Sequence, residues 1–218
     1  MLRKEDIYIT DTSVLYSALR GEAGFKPIGS EEDDIHKQVQ NFCQYLLNGD
    51  YRVVIPFHAF LEFSAQFFQT NIDHENYERW YQSRKFIFKA RLLHPILSAS
   101  NITLQKEIPR GSRIPNRVLE PIHNLYLREI PRKGARTSFV HPSDPKFLDG
   151  MDGAIFEEAI LVAEQNPETT CFLVSTDRML VTAAKLLRHT VPGSQRHRNL
   201  KSMNPWGMVR KLQRQRYR

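Results

Sequence analysis

Three short β-type runs divide this chain, and each gives way to a stretch with helical spacing. The runs are Ile7-Tyr8-Ile9, Tyr51 to Ile55, and Cys171-Phe172-Leu173-Val174. Strands that alternate with helices build an α/β fold around a parallel sheet. The helical stretches carry their own punctuation. Asp33 or Asp34 caps a helix to about Asn48, with Ile35, Val39, Phe42 and Leu46 as its apolar stripe and Gly49 as its stop. Pro56 opens a second helix to about Thr70, since proline is tolerated in a first turn. That helix carries Phe57, Phe60, Leu61, Ser64 and Phe68. Asp149 to Gln165 is strongly helical, with Ile155, Ala159, Ile160 and Ala163 facing one way. Met179 to Leu187 forms the helix after the third run.

Two of the three runs end at an acid. Asp11 follows the first and Asp177 the third. In a parallel sheet the strand ends share one edge, which is where α/β proteins place their sites. A bland role is also open to these residues, because Asp, Thr and Ser all cap helices well. Glu62 is harder to explain that way. It sits within Ala59-Phe60-Leu61-Glu62-Phe63, where an acid is costly to bury without a partner. Asp152 opens the helix before the third strand, with Asp149 almost one turn earlier, and helix N-termini favour acids. Four carboxylates in one pocket could not all stay ionised unaided. Two at ~4 Å repel by roughly 4 kcal/mol at an effective dielectric near 20. The ligands would all be hard oxygens, a set that suits Mg²⁺ or Mn²⁺ better than zinc. Phosphodiester cleavage is chemistry that such a centre performs.

The charge distribution points to a polyanionic partner. Residues 189–218 hold eight Lys or Arg, among them Arg196, Arg198, Lys201, Arg210 and Lys211, and no acid. The formal net charge is +7, so the rest of the chain is close to neutral. A second basic block lies at 106–147, with nine Lys or Arg against four acids. Basic blocks on a neutral body suit contacts to phosphates. A helix over Asn76–Leu97, broken near Pro95, mixes aromatic with basic residues and is either a nucleic-acid face or an ordinary amphipathic helix.

The organisation expected is a single domain over 1–192, with a proline-rich, partly helical insertion at about 98–147 and a basic tail over 193–218. No apolar run has the length of a membrane span. The first residues lack the apolar core of a signal peptide. Cys43 and Cys171 lie far apart and read as small core hydrophobes rather than a disulfide or zinc site. A cytoplasmic protein is expected.

The motifs Asp11-Thr12-Ser13-Val14-Leu15, Glu62 after a strand and helix start, Asp152-Gly-Ala-Ile-Phe-Glu-Glu-Ala159 and Leu173-Val174-Ser175-Thr176-Asp177 resemble, in order and placement, the four motifs of the PIN-domain nucleases. The style is similar to that of the VapC toxins of toxin–antitoxin pairs. The resemblance implies a three-layer α/β/α sandwich and a Mg²⁺- or Mn²⁺-dependent endoribonuclease acting on RNA. It also implies a homodimer and an antitoxin partner. By motif, Asp11, Glu62, Asp152 and Asp177 would hold the metal, with Ser13 or Ser175 supporting the site. Asp149 is an extra ligand, or the third acid in place of Asp152. A non-catalytic nucleic-acid-binding or scaffold protein on the same fold is the alternative.

Overall fold

Ile7 stands beside Arg52 on one side and Cys171 on the other, both in parallel register. The strand it belongs to is the centre of the sheet. The computed structural model describes residues 2–19, 31–68, 91, 93–106, 150–190 and 198–209. Their elements run β1 (Ile7–Thr10), α1 (Thr12–Leu19), α2 (Glu31–Asn48), β2 (Arg52–Ile55), α3 (Phe57–Phe68), β3 (Ile102–Leu104), α4 (Gly150–Gln165), β4 (Cys171–Val174), α5 (Arg178–Thr190) and β5 (Leu200–Met203). Residues 93–98 and 205–209 are also helical. The sheet order is β3-β2-β1-β4-β5, and every pairing is parallel.

Side chains alternate across a strand, so each strand feeds both faces. Ile7, Ile9, Cys171, Leu173 and Leu200 point to one apolar cluster, which Ile155, Phe156, Ala159, Ile160 and Ala163 of α4 and Leu180, Ala183, Ala184 and Leu187 of α5 complete. Tyr8, Val53, Ile55 and Val174 point to the other, with Val14, Leu15 and Ala18 of α1 and Val39, Cys43, Leu46 and Leu47 of α2. Tyr8 anchors that second cluster. It is fully buried, stacks on Phe172 at 5.6 Å and meets Tyr51 edge-on at 5.7 Å. Truncating such an aromatic costs about 3–5 kcal/mol. Helices on both faces of a parallel sheet are compatible with the expected three-layer arrangement. Both cysteines are buried and free, as expected.

The sheet has two strands more than the three runs predict. β3 lies inside the segment read as an insertion, and β5 inside the segment read as a basic tail. Both are short and weakly apolar, Ile-Thr-Leu and Leu-Lys-Ser-Met, so neither announces itself by periodicity. An asparagine fixes each in place. Asn101, just before β3, donates through Nδ2 to the Gly49 and Tyr51 carbonyls at 2.7 and 2.9 Å. Asn199, just before β5, donates to the Ala163, Asn166 and Thr169 carbonyls at 2.9, 2.9 and 3.0 Å. Each amide thus ties together the carbonyls where a helix hands over to the neighbouring inner strand. At the first of these junctions Gly49 is required. A Cβ there would come within 2.7 Å of the Tyr51 ring and 2.8 Å of the Tyr45 carbonyl.

Two smaller expectations are corrected. The buried residues of α3 include Ala59, Phe63 and Phe67, four apart, whereas Leu61 is exposed. The run of aromatics hides this spacing in the sequence. Residues 93–98 stay helical through Pro95 instead of breaking there. Most of the helix expected over 76–97 and most of the 106–147 block lie outside the described residues. Among those described, no helix is long and apolar enough to cross a membrane.

Candidate functional site

The chain leaves β1 toward β2 and β3 on one side, and β4 leads to β5 on the other. The exits of β1 and β4 therefore diverge, and the gap between them is the crevice in which an open parallel sheet binds ligands. Asp11 stands at the first exit and Asp177 just beyond the second. α1 begins directly after Asp11, and α5 directly after Asp177.

Each acid also caps the helix it precedes. Asp11 Oδ1 accepts from the Val14 N–H at 3.1 Å, and Asp177 Oδ1 accepts from the Met179 N–H at 2.5 Å. Asp152 lies in the first turn of α4. Three of the four acids thus occupy the positive ends of helices, where carboxylates are favoured. Capping explains why an acid is tolerated at each position. It does not explain why they face one another.

A hydroxyl lattice ties the two exits together. Ser13 Oγ donates to Asp11 Oδ1 at 2.7 Å and accepts from the Thr176 N–H at 2.9 Å. Ser175 Oγ donates to Asp11 Oδ2 at 2.5 Å and accepts from the Asp177 N–H at 2.8 Å. Asp11 is 3% exposed and Ser175 is fully buried. Burial pushes the Asp11 carboxyl up to about 6. The Ser175, Ser13 and Val14 donors oppose the rise, and the charge of Asp177 adds to it.

Glu62 reaches the same place from α3. Thr12 Oγ1 donates to Glu62 Oε2 at 2.5 Å, with the Ala59 carbonyl 3.2 Å from the same hydroxyl. Tyr16, one turn along α1 from Thr12, has its phenol pushed up to about 12 by burial and then by the Glu62 charge. These groups enclose a cavity of about 350 Å³ lined by Asp11, Thr12, Ser13, Tyr16, Ser17, Glu62, Asp152, Ile155, Thr176 and Asp177.

All four expected acids therefore line one cavity, and both expected serines brace it. Asp149, Arg196, Arg210 and Lys211 lie outside the described residues. Arg198 and Lys201 are not brought to the cavity. Lys201 pairs in register with Phe172, itself beside Tyr8, which is roughly 10 Å back along the strand direction from Asp11. Its Nζ lies over the Phe172 ring at 5.6 Å. Sequence reasoning passed over Thr12, Tyr16, Ser17 and Thr176. The helical spacing of Thr12 with Tyr16, and of Ser13 with Ser17, is the signal that would have placed them on the face Asp11 starts.

The donor set fits a hydrated Mg²⁺ or Mn²⁺ in kind, since carboxylates and hydroxyls are hard ligands. The fit is not that of a closed cage. Among the described residues, no three acids, histidines or cysteines stand close enough to hold an ion directly. Mg²⁺ usually takes only one or two carboxylates and keeps several waters. No protein-family model matches the chain, and no curated protein is significantly similar to it. The likeness to PIN-domain nucleases rests on the four short motifs alone.

Proposed function

We propose that this protein is a PIN-like, metal-dependent endoribonuclease whose centre is the cavity at the β1 and β4 exits. One observation carries the reading: Asp11, Glu62, Asp152 and Asp177 come from four separate stretches of the chain and line one cavity. A bound Mg²⁺ or Mn²⁺ would supply charge neutralisation at the scissile phosphate and an activated water. One or two of these carboxylates would hold it directly and the others through its waters, Asp11 and Asp177 from the sheet edge, Glu62 and Asp152 from the helix walls. Ser13 and Ser175 orient the Asp11 carboxylate, and Thr12 orients Glu62. Metal-ligating carboxylates are commonly held by such outer hydrogen bonds.

The test is cleavage of labelled single-stranded RNA with Mn²⁺ by the parent and by Asp11→Asn. Cutting by the parent alone supports the reading; cutting by neither overturns it. The resemblance to VapC toxins adds a homodimer and an antitoxin, which sedimentation and co-expression with the neighbouring gene's product would test. Among the described residues no three acids stand at ligating distance, which favours a second reading, a non-catalytic nucleic-acid-binding protein. Equal RNA binding by both proteins with no cutting is the result that reading expects.

A further inference from the structure

Glu158 is a deeply buried acid that the proposed reaction leaves unused. It is 1% exposed, on the buried face of α4 beside Ile155 and Ala159. Both its oxygens go to one residue. Oε2 accepts from the His58 backbone N–H at 3.1 Å, and Oε1 lies 2.9 Å from His58 Nδ1. His58 is the second residue of α3, so its N–H is one of the donors a helix start leaves without an intrahelical acceptor. A side-chain cap from the preceding residue would usually serve, but that residue is Pro56, followed by Phe57. α3 takes its cap from α4 instead.

This choice has a geometric result. Glu62 is four residues beyond His58, on the same face and roughly 6 Å along α3. Asp152 is six residues before Glu158, roughly 9 Å along α4. His58 meets Glu158, while Glu62 and Asp152 meet the same cavity. The two helices therefore pass in opposite senses, and the His58–Glu158 contact and the acid pair are two levels of the same α3–α4 crossing, with Asp152 turned roughly 120° from Glu158 around α4. We propose that His58 and Glu158 are positioning residues: their two-point contact sets the register of α3 against α4, and hence the separation of Glu62 and Asp152. The inference rests on the nuclease reading for its purpose, but not for its geometry.

A simple cap and a positioning contact predict different outcomes. His58→Ala keeps the backbone N–H and its cap but removes the ring. His58→Asn restores a side-chain donor near the position of Nδ1. Crystal structures of the metal-free parent and both variants give the Glu62–Asp152 separation directly. Mn²⁺ titration by calorimetry gives the affinity. The expected result is a changed separation and about tenfold weaker Mn²⁺ binding in His58→Ala, with both restored in His58→Asn. An unchanged separation in His58→Ala overturns the proposal. If the alanine variant does not fold, Glu158→Gln is read against the same two measurements. A parent that binds Mn²⁺ no better than Asp11→Asn sinks the nuclease reading, and the structural separation still decides the contact.

Discussion

Ser175 Oγ lies 2.5 Å from Asp11 Oδ2, although 164 residues separate the two in sequence. The same hydroxyl accepts from the Asp177 N–H, so one serine orients one acid and the backbone of another. Ser175→Ala should leave both groups short of a partner in a buried place. A loss of about 2 kcal/mol is expected in urea unfolding. Mn²⁺ affinity should fall about 10-fold or more in calorimetry, because the carboxylate loses its orientation. A variant as stable as the parent would show that water replaces the hydroxyl at no cost.

Asp11→Asn should remove function and add stability. Cleavage should drop by more than roughly 100-fold if Asp11 holds the ion. The stability gain follows from the raised carboxyl. A group whose folded value is about 6 stabilises the fold below its unfolded value near 4, and this contribution is lost as pH rises through 6. The amount is about 3 kcal/mol. In metal-free buffer the parent should therefore lose more stability between pH 4 and pH 7 than Asp11→Asn does. Denaturant melts at the two pH values measure the difference. Adding Mn²⁺ at pH 7 should raise the parent's melting temperature and leave the variant's unchanged.

Asn199→Ala withdraws one amide from three carbonyls at the junction of α4, β4 and β5. A cost of about 1–3 kcal/mol is expected, since three part-buried carbonyls lose a donor they share, although the Asn166 and Thr169 N–H groups still serve two of them. Asn101→Ala, which serves two carbonyls, should cost less. Deleting residues 193–218 should be worse than either, because it removes β5 and the buried Val209 along with the basic charge. Circular dichroism melts of the three proteins give the order.

Arg198→Glu and Lys201→Glu test the basic segment without removing the strand. Both residues sit away from the acid cavity, toward the strand starts. Cleavage of a short oligonucleotide should be unaffected. Binding of a long RNA should weaken, with a shallower dependence on salt by roughly 0.7 per lost phosphate contact. Equal salt slopes for parent and variants would take these two residues out of RNA binding.

The parts legible in the sequence were those with a strong local signal. β1, β2 and β4 are apolar runs, and Asp11 and Asp177 stand right at their ends. Glu62 stood out because an acid interrupts an apolar stretch. β3 and β5 were not legible, since Thr103, Lys201 and Ser202 dilute their apolar pattern and two asparagines do the anchoring. The buried stripe of α3 was obscured because aromatics lie all around it. Glu158 was hidden for a different reason: beside Glu157 it looks like a solvated pair, and only its contact with His58, 100 residues earlier, shows that it is buried.

The direct pairing of β1 with β4 also dictates when the acids can meet. β1 gains its neighbour β2 at Arg52, but its other neighbour, β4, begins only at Cys171. Contacts this distant close a large loop and tend to form slowly. A chain that stops short of β4 lacks both Asp177 and the strand that brings it beside Asp11, so the cavity cannot assemble from its first half alone.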